Sequence, residues 1–246
     1  MPAVDGKASP PPSCPPQVWR IRLHDACRSF AWHWSVLDKA EQGRASSFRR
    51  EKDRLRFVVG RSSLRRLLAS RLGVKTGQLQ FSENAFGKPF LLAPRAVVHF
   101  NTSHSGEWIL HALDTVAPVG VDVELVRADL ANTEDFGLVL SAEEFSQIAD
   151  YPQAHRATAF ARTWVRKEAY VKAIGEGMSR SLADISIGVD ASGKLRLLYD
   201  RNSARSLLRW QFEEIELDTK HVACVVYGSV DAGVAARAAA VRDLQL

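Results

Sequence analysis

The segment Pro118–Leu125, PVGVDVEL, is where the reading of the fold starts. Apolar and polar residues alternate in it, the signature of a half-buried strand. Residues two apart on a strand share a face. Asp122 and Glu124 therefore project together, while Val121 and Val123 turn to the core. Two neighbouring carboxylates repel each other unless a cation neutralises them. Hard oxygen donors suit magnesium, which takes one or two carboxylates together with substrate phosphates and water. Taken alone, the pair is more simply the solvent face of an edge strand.

Downstream, Gln153–Ile174 reads as a long helix closed by Gly175, with Phe160, Trp164, Val171 and Ile174 on one apolar stripe. Glu168 lies one turn beyond Trp164 on that stripe, and Lys172 one turn beyond Glu168. A carboxylate on an apolar stripe needs a partner. One reading is a structural Glu168–Lys172 pair. The other is a third metal ligand or base, with a lysine placed to meet phosphate. Upstream, Val97–Phe100 and Trp108–Asp114 read as two strands joined by a polar loop, Asn101–Glu107. Its Asn101, Thr102, Ser103, His104 and Ser105 could hold phosphate oxygens or simply form a polar turn. Lys88, between Gly87 and Pro89, offers a further point charge on a tight turn.

Around these segments helices and strands alternate, which gives an α/β chain. Residues 1–17 are a proline-rich leader, and Val18–Leu23 is a strand. Asp25–Gln42 and Arg49–Leu72 are helices, the second stopped by Gly73. Leu79–Phe81 and Pro89–Leu92 are short strands. Ser141–Ala149 is a helix opened by a Ser141/Glu144 capping box. Ile185–Val189, Leu195–Tyr199, Trp210–Glu216 and His221–Tyr227 are strands. The expected divisions are 18–117 and 118–230, with 231–246 a tail or surface helix.

With 246 residues, 46% of them hydrophobic, the chain can bury a real core. Its charge is +5 and its pI about 9.3, which favours phosphorylated or acidic partners. An arginine-rich run between Arg44 and Lys75 contributes much of that charge. The three cysteines form no C-x-x-C pair, so neither zinc nor a redox couple is suggested, and a reducing cytoplasmic setting fits. Neither a signal peptide nor an apolar run long enough to span a bilayer is visible. The nucleotide-binding glycine loops, the nucleophile elbow and H-E-x-x-H are all missing.

Four motifs in order resemble the Sfp-type 4′-phosphopantetheinyl transferases. These are Gly87-Lys88-Pro89, then Phe100–Ser105 with Thr102 where that family carries an aliphatic residue, then Gly120–Glu124, then Trp164, Lys167, Glu168, Ala169 and Lys172. The resemblance implies two similar α/β lobes in one chain, a pseudo-dimer, with the active site in the cleft between them. It implies transfer of phosphopantetheine from coenzyme A to a serine of an apo carrier protein (acyl, polyketide or peptidyl). It implies magnesium, or manganese in its place, on Asp122, Glu124 and Glu168. Glu168, Lys172 and Asp122 would carry the catalysis. Lys88, Ser103, His104, Asp122 and Lys172 would contact coenzyme A, with Arg44, Arg49 and Arg56 as further contacts. A monomer is the simplest assembly, with neither nucleic acid nor membrane as partner. Two competitors remain at this stage. One is a nucleic-acid-binding protein, suggested by the basic run, which leaves the three carboxylates without a purpose. The other is a coenzyme A or carrier binder without turnover.

Overall fold

The computed structural model describes residues 15–26, 29–127, 133–202, 210–228 and 239–244. Most of the leader expected at 1–17 and most of the expected tail lie outside those residues. The fold is α/β. Strand β1 (Gln17–Arg22) is followed by short helices α1 (Leu23–Ala26), α2 (Phe30–Val36) and α3 (Lys39–Ser46), then by the long α4 (Glu51–Leu72). Strands β2 (Gln80–Glu83), β3 (Pro89–Ala93), β4 (His99–Ser105), β5 (Trp108–Asp114) and β6 (Val119–Leu125) come next. Helices α5 (Thr133–Val139), α6 (Ala142–Asp150) and α7 (Gln153–Ile174) lead to β7 (Ile185–Val189), β8 (Leu195–Asp200), β9 (Trp210–Glu214), β10 (His221–Gly228) and β11 (Ala240–Asp243).

Two sheets organise the molecule. One has the order β11-β1-β5-β4, the other β6-β10-β9. They pack face to face through Val18, Leu110 and Ala112 of the first and Val119, Val121, Val123, Ala223 and Val225 of the second. The outer face of the first sheet is covered by α4, whose Leu64, Leu67 and Leu68 pack with Phe100 and Leu113. The outer face of the second is covered by α7, through Val165, Ala169, Tyr170 and Val171 against Cys224 and Val226. The layers therefore run helix, sheet, sheet, helix, each element burying its apolar side.

Three expectations are corrected. The helix expected at Asp25–Gln42 is broken, because Asp38 caps a new helix: its carboxylate accepts from Glu41 N (2.9 Å) while Glu41 accepts from Asp38 N (3.0 Å). The expected loop Asn101–Glu107 is mostly strand, since β4 runs to Ser105 and only Gly106 and Glu107 turn the chain. Within the expected tail or surface helix at 231–246, residues Ala240–Asp243 form an edge strand parallel to β1. The arginine run is also partly internal. Arg65 is fully buried, with Nε on Glu41 (2.7 Å) and Nη2 on Asp38 (2.5 Å), and Arg61 pairs with Glu41 at 2.6 Å. Those cations fasten α3 to α4 instead of facing solvent.

Candidate active site

Strand β4 is the last strand of one sheet and β6 the first of the other. Their edges lie side by side, joined through side chains. Asn101 Oδ1 accepts from Val121 N (2.9 Å), and Ser105 Oγ accepts from Leu125 N (3.1 Å). Alternation on β4 sends Asn101, Ser103 and Ser105 towards this seam. Alternation on β6 sends Gly120, Asp122 and Glu124 towards α7. Gly120 has a physical reason to lack a side chain. A Cβ there would stand 2.0 Å from Ala169 O and 2.5 Å from Ala173 N, so only glycine lets α7 approach β6. That approach sets Glu168 and Lys172 against the β6 carboxylates.

The resulting cleft, of about 240 Å³, is lined by Ser103, His104, Asp122, Glu124, Glu168 and Lys172, with Thr102, Val123 and Trp164. Six of the sequence-derived site residues thus come together. Asp122 is buried and its Oδ1 accepts two bonds, from Ser103 Oγ (2.6 Å) and Lys172 Nζ (2.5 Å). Lys172 therefore pairs with Asp122 rather than with Glu168. Glu124 accepts from Ser105 Oγ at 3.1 Å. Burial pushes the Glu124 pKa above the usual carboxylate range, and the Asp122 charge adds to the rise. Burial does the same to Glu168, partly offset by the Lys172 cation. At the cleft mouth, desolvation and then the Arg56 guanidinium hold His104 below its ordinary value. A larger hollow of about 620 Å³ opens from the same place, sharing Glu124, Trp164 and Glu168 and walled by Leu138, Val139, Phe160 and Leu182.

The remaining expected residues are placed elsewhere. Lys88, expected at coenzyme A, is turned onto carbonyls: Lys172 O (2.5 Å), Ala173 O (3.1 Å) and Val119 O (3.3 Å). Lys88 is half-buried, and two of its three acceptors are carbonyls left open at the end of α7. Burial lowers its pKa to about 8. Arg56 braces the β4–β5 turn through Gly106 O (3.2 Å) and pairs with Asp53 (2.9 Å). Arg44 lies over the Phe57 ring at 5.3 Å, and Arg49 is exposed. Sequence reasoning missed Asn101 and Ser105 as seam residues. It named Lys167 as a motif residue without a role; the side chain is fully buried, bonds Val139 O (2.7 Å) and Leu182 O (2.9 Å) and pairs with Glu144 (2.5 Å). A lysine with no acidic residue three or four positions away on its own helix was the available signal.

A metal is implied by the family resemblance, and the donor set has the right chemistry: three oxygen acids, two of them held above their usual pKa in one cleft. Among the described residues, however, no three such groups are gathered into a ready metal cluster. The Lys172 ammonium rests on Asp122 instead.

A family model described as the 4′-phosphopantetheinyl transferase superfamily matches residues 118–226, and one described as 4′-phosphopantetheinyl transferase, N-terminal, matches 24–115. The chain is accordingly a transferase. It is 31% identical over 214 residues to the 4′-phosphopantetheinyl transferase HetI of Nostoc sp., covering 85% of each chain. It is 28% identical over 197 residues to the 4′-phosphopantetheinyl transferase gsp of Aneurinibacillus migulanus, covering 80% of this chain and 79% of that one. The chain belongs to the 4′-phosphopantetheinyl transferase family. Among solved structures, the holo-[acyl-carrier-protein] synthase of Neisseria meningitidis aligns with a TM-score of 0.39 at 22% identity, over 46% of this chain and 98% of that one.

Proposed function

We propose that the cleft between β4, β6 and α7 is where this transferase moves the 4′-phosphopantetheine of coenzyme A onto a serine of an apo acyl, polyketide or peptidyl carrier protein. The observation that carries this reading is the gathering of Asp122, Glu124 and Glu168 with Lys172, Ser103 and His104 in one cleft. Asp122, Glu124 and Glu168 would hold magnesium, or manganese in its place. Bound there, the metal supplies charge neutralisation for the pyrophosphate and its leaving group, adenosine 3′,5′-bisphosphate.

The residues of the chain do the rest. Glu168 is half-buried, its pKa raised, and no hydrogen bond occupies its carboxylate among the described residues. It accepts the proton of the carrier serine. Lys172 exchanges Asp122 for a phosphate oxygen and stabilises the leaving charge. Ser103 and His104 line the coenzyme A side, with Arg56, whose charge reaches His104, and Arg44 and Arg49 as outer cations. Lys88 acts from behind, holding the end of α7 that carries Lys172. A reaction of this kind is positioning and electrostatics, so no protein nucleophile is needed. Residues 18–117 and 118–230 act as two similar lobes of a cytoplasmic monomer. In support of the two-lobe reading, each of the two sheets is backed by a 22-residue helix.

Glu168→Gln and Asp122→Ala should each lower turnover of an apo carrier by more than about a hundredfold, with the circular dichroism spectrum unchanged. Near-normal turnover in either variant sinks the role given to that residue.

A further inference from the structure

Strand β4 is an edge. Among the described residues its backbone pairs with β5 alone, and its hydrogen bonds towards β6 are made by its side chains. Its other face, carrying Phe100, Thr102 and His104, turns to α4, where Phe100 packs with Leu64 and Leu68. Thr102 stands opposite His111 of β5. His111 is fully buried, and its ring bridges two hydroxyls: Nδ1 lies 2.8 Å from Thr102 Oγ1, and Nε2 lies 2.8 Å from Ser63 Oγ of α4.

The direction of these bonds follows from counting protons. Burial keeps His111 neutral, with a pKa near 3, so the ring carries one N–H. Ser63 Oγ lies 2.6 Å from Val59 O, and at that distance one oxygen must donate to the other. A carbonyl has no proton to give, so the Ser63 hydroxyl is spent on Val59. Ser63 then accepts from His111 Nε2–H. His111 Nδ1 is left as an acceptor, and among the described residues the Thr102 O–H, 2.8 Å away, is the donor that fills it. An aliphatic residue at 102, the kind the family pattern carries there, would orphan a fully buried imidazole nitrogen.

We propose that Thr102, His111 and Ser63 form a buried hydrogen-bond chain that positions β4 on α4, and that Thr102 is thereby a positioning residue for coenzyme A binding at Ser103 and His104. This rests on the reading that β4 lines the coenzyme A side of the cleft. Thr102 is β-branched and stiff at χ1. With its hydroxyl committed to His111, the strand cannot rotate, and its neighbours Ser103 and His104 keep their directions.

The test is steady-state kinetics with an apo carrier, varying coenzyme A, together with thermal unfolding of each variant. Thr102→Val should raise the KM for coenzyme A about tenfold, the scale of one lost buried hydrogen bond, with kcat within threefold. Thr102→Ser, which keeps the donor, should bring KM back to within threefold. The double variant Thr102→Val/His111→Leu removes the orphaned nitrogen as well as the chain. It should regain thermal stability and keep the raised KM. The proposal is overturned if Thr102→Val leaves KM within twofold, if its loss is confined to kcat, if Thr102→Ser behaves like valine, or if the double variant restores KM along with stability. Ser103→Ala separates the two levels. A normal KM there overturns the reading of β4 itself, and this proposal with it. A raised KM in Ser103→Ala beside a normal one in Thr102→Val overturns the hydrogen-bond chain alone.

Discussion

Replacing Gly120 by alanine adds one methyl group and should damage both fold and activity. The new Cβ would lie 2.0 Å from Ala169 O, about 1.4 Å short of the 3.4 Å at which ordinary contact begins, and 2.5 Å from Ala173 N. Both obstacles are backbone of α7, which cannot rotate away as a side chain can. The helix must therefore withdraw from β6 by roughly an ångström or distort. Overpacking of this kind costs about 1–3 kcal/mol and more when backbone has to move, so we expect about 3 kcal/mol. For a chain of 246 residues that is a fall in Tm of about 6–12 °C. Because α7 carries Glu168 and Lys172, a displacement of about 1 Å should also cost about a hundredfold in turnover. Urea denaturation and turnover at a temperature where the variant is still folded measure the two effects separately. A Gly120→Ala protein within about 0.5 kcal/mol of the parent and fully active would refute the close approach of β6 and α7.

Three further outcomes follow from the charges. Burial raises the Glu168 pKa, so its folded state binds a proton more tightly than the unfolded chain. The cost is absent below the ordinary carboxylate pKa and grows as pH rises through the raised one. Glu168→Gln should therefore melt higher than the parent at neutral pH without metal, lose that advantage in acid, and gain less from added magnesium; equal responses to magnesium would count against Glu168 as a ligand. Lys172 lowers the Glu168 pKa. The acidic limb of the turnover–pH profile should accordingly move to higher pH in Lys172→Met, and an unmoved limb would show that Glu168 is not the group titrating. Lys167→Met leaves Glu144 buried without its cation (2.5 Å in the parent); we expect a loss of about 3–5 kcal/mol in chemical denaturation, and a loss under about 1 kcal/mol would mean the pair is dispensable.

Much of the architecture was legible because it rests on local chemistry. The bounds of α7 follow from its apolar stripe and from Gly175, which adopts φ 80° at the helix end. The Ser141–Glu144 capping box forms as the spacing predicts, with Ser141 Oγ accepting from Glu144 N at 3.3 Å. The facing of Asp122 and Glu124 away from the Val121–Val123 core follows from strand alternation alone. The break in the first helical region was also written locally, as Asp38-x-x-Glu41, a signal overlooked beneath the apolar pattern. Other features depend on distant partners and leave little local trace. Strand β4 looks like a loop because its seam-facing positions hold Asn101, Ser103 and Ser105, which bond to β6 instead of packing on it. Strand β11 exists through pairing with β1, more than two hundred residues away. The choice of Lys172 for Asp122, and of Lys88 for the α7 carbonyls, is likewise set by which chain segments meet.

Intact-protein mass spectrometry of an apo carrier protein, incubated with this protein, coenzyme A and magnesium, addresses the central claim most directly. The account predicts a mass gain of one phosphopantetheine group on the carrier, lost when a chelator removes the metal and lost with Glu168→Gln. A folded protein that binds coenzyme A yet leaves acyl, peptidyl and aryl carriers unmodified, or a gain that persists undiminished in chelator and in Glu168→Gln, would contradict it.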